Sequence, residues 1–417
     1  MTGIRRPRRQ TCVLVTALIG ATIVSATFSG AAASAPRTTH RSLATITVDT
    51  LPIANALPMD LGIKKGFFTA QGIDINKRTL QSGNDVVLAL ANKNGEIGYL
   101  GYVPMMIART QGIQLQAVAN SEVEGTSQAD NWQNILVKGS SSIRTASDLS
   151  SKTIAVNALK GVGEVMIKAA LKKSGVNPTS IKLLALPFPA MRAALQNGQV
   201  DAIWTPEPFM SAALNTDGAR IVMAPGPVLG KYWPIGGYAA LQSWTTANPS
   251  LAAKFRVAIN QSLAYAQAHA DEIRDLLPAA TRNVRLPIWT PVIDRDKLAA
   301  LARYAKEFDV ISTLPNLTQL VPSSVTGGKN LQATGGNKFV ALRLDGRTIK
   351  TLKAGRYTFV VTDQSTTRAF KLTGPGVKKS TSVRGTGRST WTVRLKRGTY
   401  FFSATGKPPL KQKLRVT

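Results

Sequence analysis

Two stretches of this chain repeat one local grammar, and that repetition limits the folds open to it. In the first, Ser82-Gly83-Asn84-Asp85 opens a helix, Ala89-Leu90-Ala91-Asn92 carries it, and Gly95 ends it before the strand that starts at Glu96-Ile97. In the second, Ala194-Leu195-Gln196-Asn197 is followed by Gly198 and then by Gln199-Val200, which lead into a strand reaching Thr205. Short polar residues hold the free N–H groups at a helix start, and glycine supplies the left-handed turn at its end. Helix-stop chemistry arising independently in two places would leave the same echo. Further strands are expected at 44–49, 73–80, 114–120, 152–157 and 181–186, with helices at 56–65, 103–111 and from the Gly161/Gly163 loop to Ser174. Strands alternating with helices read as βαβ units, so this region is expected to form two similar α/β lobes. Helices over 251–277 and 294–308 are expected to pack back on the first lobe.

In open α/β sheets ligands bind beyond the carboxyl ends of the strands. The run from Ala190 to Pro208 ends its strand with Thr205-Pro206-Glu207-Pro208, which sets a carboxylate between two prolines at such an end. Glu207 either faces a site there or is a solvated loop acid.

Composition sets the limits of the domains. Residues 1–35 have a basic start (Arg5, Arg6, Arg8, Arg9), an apolar stretch over 13–24 and small residues ending Ala33-Ser34-Ala35, the layout of a secretory signal peptide. Export is therefore expected, to the periplasm or cell surface. The single cysteine, Cys12, lies in that segment, so no thiol chemistry is expected of the mature part. Beyond residue 35 no apolar run approaches the roughly 20 residues a bilayer span needs. Residues 322–337 are rich in Gly, Ser and Thr and read as a linker between a solute-binding region at 36–321 and an all-β region at 338–417.

Residues 44 to about 312 resemble the substrate-binding proteins of ABC importers for nitrate, aliphatic sulfonates, taurine and thiamine-precursor pyrimidines. Five features in order carry the resemblance: Gly66-Phe67-Phe68 with Gly72-Ile73-Asp74-Ile75; Gly95-Glu96-Ile97-Gly98; Ala146-Ser147-Asp148-Leu149 with Lys152-Thr153-Ile154-Ala155; Gly198-Gln199-Val200-Asp201-Ala202; and Glu207-Pro208-Phe209. The resemblance implies a type II periplasmic-binding-protein fold, in which two lobes joined by paired crossings close on a small solute and hand it to a permease in the membrane. Lobe 1 is expected at about 44–125 and 235–312, lobe 2 at about 135–225, and the crossings near 120–135 and 225–238. A monomer is expected.

Helix N-termini present free N–H donors and the positive end of a dipole, so three of them should form an anion site: Ser82, Gly83 and Asn84; Gly101 and Tyr102; Gly161 and Gly163. The glycines either admit an anion close to the backbone or mark tight turns. Tyr102 and Trp204 either clamp an apolar part of the solute or belong to the core. Pro52, Asn55, Asn157 and Lys160 complete the candidate set with Glu207, whose carboxylate suits a zwitterion or an aminopyrimidine unless a neighbouring Lys or Arg takes it.

Catalysis has little to work with, since the only histidines are His40 and His269. Enzymes of pyrimidine synthesis with related lobes use histidine and cysteine residues missing here. No catalytic residue, metal or cofactor is expected.

Residues 338–417 show alternating runs at 358–361, 391–395 and 399–403, expected of a β-sandwich. Phe370-Lys371-Leu372-Thr373-Gly374-Pro375-Gly376-Val377, Thr390-Trp391-Thr392-Val393 and Gly398-Thr399-Tyr400 resemble the cupredoxin-related domains of secreted bacterial proteins. The positions that would hold copper carry Arg368, Ala404, Lys407 and Leu410, so the resemblance implies a scaffold without the metal. This segment has 19 Lys and Arg against 2 Asp and Glu, whereas 36–337 has 29 against 20. Such a patch on an exported protein suits anionic lipid or a cell-wall polymer. Trp391, Phe401 and Phe402 read as core rather than as stacking platforms, so no specific nucleic acid is expected. A surface scaffold or adhesin held on polyanions by this domain is the rival to solute transport.

Overall fold

A computed structural model describes residues 43–322, 325, 329–336, 339–344, 347–365, 367–382, 387–405 and 410–417. The expected signal peptide, with Cys12, lies outside the described residues, as do His40 and Lys407.

The chain opens with β1 (Ala44–Thr50), α1 (Leu57–Lys64), β2 (Ile73–Thr79), α2 (Gly83–Ala91), β3 (Ile97–Gly101), α3 (Tyr102–Thr110) and β4 (Leu115–Val123). It then crosses to the second lobe, formed by β5 (Gln133–Val137), β6 (Thr153–Val156), α4 (Val162–Lys173), β7 (Lys182–Ala185), α5 (Phe188–Gln196), β8 (Ala202–Pro206), α6 (Phe209–Thr216) and β9 (Arg220–Met223). A short α7 (Pro225–Leu229) leads back to β10 (Pro234–Leu241), α8 (Gln242–Ala247), α9 (Pro249–Ala268), α10 (Ala270–Arg274), β11 (Ile288–Trp289), α11 (Arg295–Glu307) and α12 (Leu317–Leu320).

Lobe 1 holds a six-stranded sheet in the order β11-β4-β10-β3-β1-β2, and lobe 2 a five-stranded sheet in the order β7-β6-β8-β5-β9. The two sheets share a plan. In each, two parallel βαβ steps set three strands side by side, and the strand delivered by a crossing pairs antiparallel to the third of them: β10 against β3, β5 against β8. This two-lobed α/β architecture agrees with the sequence reading. The crossings are tied to each other where the Glu124 amide donates to the Trp233 carbonyl at 2.8 Å. Strands β5 and β10 lie partly within the stretches expected to be crossings.

Local chemistry accounts for most element ends. The Ser82 hydroxyl accepts from the Asp85 amide at 3.2 Å and caps α2, and Asp294 does the same for Lys297 at the start of α11. Gly198 ends α5 with φ 73°. The helix expected over 251–277 is broken at His269, whose φ of −128° and ψ of 60° lie outside the helical region. Its Nδ1 lies 2.8 Å from the Tyr265 carbonyl. Helix α9 crosses α1 closely because residue 62 has no side chain: a Cβ there would lie 1.8 Å from the Ser262 hydroxyl oxygen.

The remaining strands are β12 (Lys329–Gly335), β13 (Val340–Leu344), β14 (Arg347–Thr348), β15 (Thr351–Leu352), β16 (Gly355–Asp363), β17 (Phe370–Gly374), β18 (Val377–Ser380), β19 (Gly387–Leu395), β20 (Gly398–Ala404) and β21 (Leu410–Val416). They form two sheets, β14-β13-β12-β16-β19 and β15-β21-β20-β17-β18, around one core that includes Phe359, Phe370, Tyr400, Phe402 and Leu414. This is a β-sandwich. The linker expectation for 322–337 needs correction, because β12 occupies much of it and pairs in parallel with β16 at the middle of its sheet. Leu331 and Ala333 alternate into the core, a period of two that the Gly- and Thr-rich flanks obscure.

Candidate functional site

A cavity of about 510 Å³, counting the space at its mouth, lies where the carboxyl ends of strands from both lobes meet. From lobe 1 come Leu51, Ile53 and Asn55 just after β1, Gly83 and Asn84 in the first turn of α2, and Tyr99, Gly101 and Pro104 around the β3–α3 junction. Lobe 2 and the first crossing supply Trp132, Gln133, Asn157, Ala158, Gly161, Val162, Phe188, Trp204 and Pro206, and β10 adds Ile235.

Among the described residues, no Asp, Glu, Lys, Arg or His lines this cavity. Its polarity comes from uncharged amides and from the backbone. Three helices start at its wall, with Ser82, Gly101 and Gly161 as N-caps of α2, α3 and α4. First-turn N–H groups have no partner within their own helix, and three such ends together create a positive potential without a formal charge. The Trp204 indole N–H is buried without a partner. Asn55 lies beside Tyr99 and Glu122, and neither of its amide atoms makes a hydrogen bond of ordinary geometry. A buried donor left open in a cavity wall is a free-energy cost that an acceptor on a ligand removes. The rest is apolar, with Trp204 and Phe188 at a centroid separation of 6.4 Å. The lobes also touch directly: the Asn84 amide reaches the Leu159 carbonyl at 3.5 Å.

Seven of the expected residues meet at the cavity: Asn55, Gly83, Asn84, Gly101, Asn157, Gly161 and Trp204. The other six do not line it. Ser82 is occupied as a cap, and Pro52 is half-buried nearby. Tyr102 is fully buried and donates to Asn120 Oδ1 at 2.5 Å, so it belongs to the core of lobe 1. Lys160 faces an outer groove shared with Leu88 and Leu159, while its amide donates to Glu164 at 2.8 Å. Gly163 has a packing role, since a Cβ there would sit 2.7 Å from the Trp204 ring.

Glu207 needs the clearest correction. It is fully buried, and its carboxylate accepts from the Ser211 amide at 3.0 Å, the Ser211 hydroxyl at 2.8 Å and the Arg285 amide at 3.0 Å. Its main chain bridges the lobes, the carbonyl accepting from the Ala54 amide and the amide donating to the Trp132 carbonyl. Burial raises its pKa, and the donors from Arg285 and Ser211 pull it down. Glu207→Ala strands three donors, so the expected loss of stability in denaturant titration is about 2 kcal/mol. Glu207→Gln should recover part of it by keeping one acceptor. An unchanged midpoint for Glu207→Ala would rule out this anchoring role.

Sequence reasoning missed a pair of buried acids. Glu122 and Glu124 are fully buried behind the cavity wall. Glu122 accepts from the Tyr99 hydroxyl at 2.7 Å, and Glu124 from the Gln133 amide at 2.5 Å. Burial pushes Glu124 up to about 8, the amides of Gln133 and Asn131 lower it, and the neighbouring Glu122 raises it again. Glu122 is also raised, mainly by burial. The signal available in the sequence was Ser-Glu-Val-Glu-Gly at the end of a strand without other charges.

The profile of the NMT1/THI5 like family matches residues 54–273. The taurine-binding periplasmic protein of Escherichia coli (strain K12) is 31% identical over 152 residues, which cover 36% of this chain and 45% of that protein. A putative aliphatic sulfonates-binding protein of the same organism is 29% identical over 143 residues, 34% of this chain and 42% of that one. The chain thus spans less than half the length of the curated relatives it matches. Among solved structures, the alkanesulfonate-binding protein SsuA from Xanthomonas axonopodis pv. citri, bound to MOPS, has a TM-score of 0.56 at 23% identity, over 68% of this chain and 97% of that one. That likeness is one of fold. With the profile match covering more than half of its length, the chain belongs to the NMT1/THI5 like family.

Proposed function

We propose that this chain is the extracytoplasmic solute receptor of an ABC importer, and that its solute is an organic sulfonate with an apolar or aromatic tail. The observation that carries the reading is a wall whose described residues include aromatic side chains and no ionised group, with three helix N-termini at it. A sulfonate spreads one negative charge over three acceptor oxygens and suits backbone N–H groups together with the amides of Asn55, Asn84 and Asn157. Trp132, Trp204 and Phe188 then remove the hydrocarbon portion from water. The names of the relatives, taurine- and sulfonate-binding, support the same class. Taurine itself fits less well, because its ammonium group would be buried with no carboxylate on the wall. Nitrate has no part to fill the aromatic end. Closure of the lobes and delivery to a membrane permease follow from this role, and no chemical step is assigned to the chain.

The test is a thermal-shift panel of hexanesulfonate, benzenesulfonate, taurine, nitrate and thiamine on protein first unfolded and refolded to strip bound solute. A ligand at about 100 times its Kd stabilises by roughly 2.7 kcal/mol, a visible rise in midpoint. The apolar sulfonates should give the largest shifts. A larger shift with taurine or nitrate would overturn the solute class. No shift with any compound, and no compaction by small-angle scattering, would count against the receptor reading.

A further inference from the structure

The β15-β21-β20-β17-β18 sheet buries one face in the sandwich and leaves the other open. Along β21, Leu414 and Val416 point inward, whereas Lys411, Lys413 and Arg415 are exposed on alternate positions. Cross-strand register continues the open face: Lys411 lies opposite Ser403, Lys413 opposite Phe401 and Arg415 opposite Thr399. On the next two strands, Lys371 lies opposite Ser403 and Thr373 opposite both Phe401 and Lys378. Five cationic side chains on β21, β17 and β18 therefore share one face, which spans four strands and about 15 Å of sheet at the usual strand spacing. At its centre the Phe401 ring is capped by the Lys411 ammonium at 3.9 Å from the ring centroid. Among the described residues none of the five has an ion-pair partner, and the domain's described acid, Asp363, is buried. Arg397, Thr399 and Arg415 also border a shallow recess at the edge of the face.

We propose that this face docks the protein on the surface of an anionic lipid bilayer, with the recess between Arg397 and Arg415 taking a headgroup phosphate. The layout favours a bilayer over a polymer strand, because the charges fill two dimensions rather than a line and the Phe401 ring at its centre lies under the Lys411 ammonium. Attraction of this kind is electrostatic and fades within a Debye length as salt rises.

The experiment is co-sedimentation of the full chain with phosphatidylcholine vesicles with and without phosphatidylglycerol. Binding should require phosphatidylglycerol and weaken with salt. The triple variant Lys411→Gln, Lys413→Gln, Arg415→Gln should lose on the order of 100-fold in affinity, each basic group near such a surface contributing about five-fold. A control triple on the lobes, Lys64→Gln, Lys182→Gln, Lys231→Gln, removes the same charge and should bind nearly as the parent does. Circular dichroism and the melting midpoint of both variants should match the parent, since all six side chains are exposed. Equal losses in the two triples would reduce the effect to net charge and overturn the assignment. So would equal binding to uncharged vesicles, or capture by an anionic wall polymer without any by vesicles.

Discussion

Replacing Trp204 by alanine should lower stability by about 3–5 kcal/mol and abolish binding of the proposed sulfonate, the first read from denaturant titration and the second from calorimetry. Trp204 is 1% exposed, lies in the central strand of lobe 2 between Ile203 and Thr205, and packs beside Phe188. Helix α4 reaches its ring only because residue 163 is glycine, so the indole is both core filling and cavity wall. Deleting it opens a void that the strands of a sheet cannot collapse to fill. Trp204→Phe separates the two roles. It keeps much of the packing but loses the indole N–H, so stability should fall far less while affinity drops roughly three- to ten-fold, the worth of one hydrogen bond. A Trp204→Phe protein that binds as well as the parent would remove the indole N–H from the site.

The second large effect is a stability that falls as pH rises through neutrality. In the unfolded chain Glu124 ionises near its ordinary value of 4.5, and in the fold near 8. Between those values the native state holds a proton that the unfolded state has released, so stability declines across this window and levels off above about 8. Glu122 and Glu207, both raised by burial, act in the same direction. This is the reverse of an ion-paired acid, whose contribution is lost as pH falls. The decline attributable to Glu124 is a few kcal/mol. Glu124→Gln should flatten it and leave the variant more stable than the parent at pH 9 in urea titrations. Parallel pH profiles for the two proteins would show that Glu124 ionises in the fold at its ordinary pH.

Much of this architecture was legible because it rests on short-range chemistry. A polar cap, a glycine stop and a period of two or of 3.6 are all written within a few residues, and they located α2, α4, α5 and the parallel strands. The expected residues that line the cavity, such as Gly83, Asn84, Gly101 and Gly161, sit at those same helix starts. What escaped depends on distant pairing. Ile235 reaches the cavity because β10 inserts beside β3, and nothing local announces that neighbour. Glu207 has a partner in Arg285, 78 residues away, so its carboxylate looked available from the sequence. Composition misled at β12, where a Gly- and Thr-rich tract lies in the middle of a sheet.

The place of β10 also bears on how the protein assembles. Lobe 2 is continuous in the chain, but the sheet of lobe 1 has β10 between β3 and β4, and every residue from 124 to 233 must be made before that strand exists. Pairing across so long a loop carries a closure entropy that the local βαβ steps do not. A nascent chain ending within lobe 2 therefore holds β3 and β4 as two unpaired edges with no strand between them, exposed to wrong partners until synthesis has moved well past them.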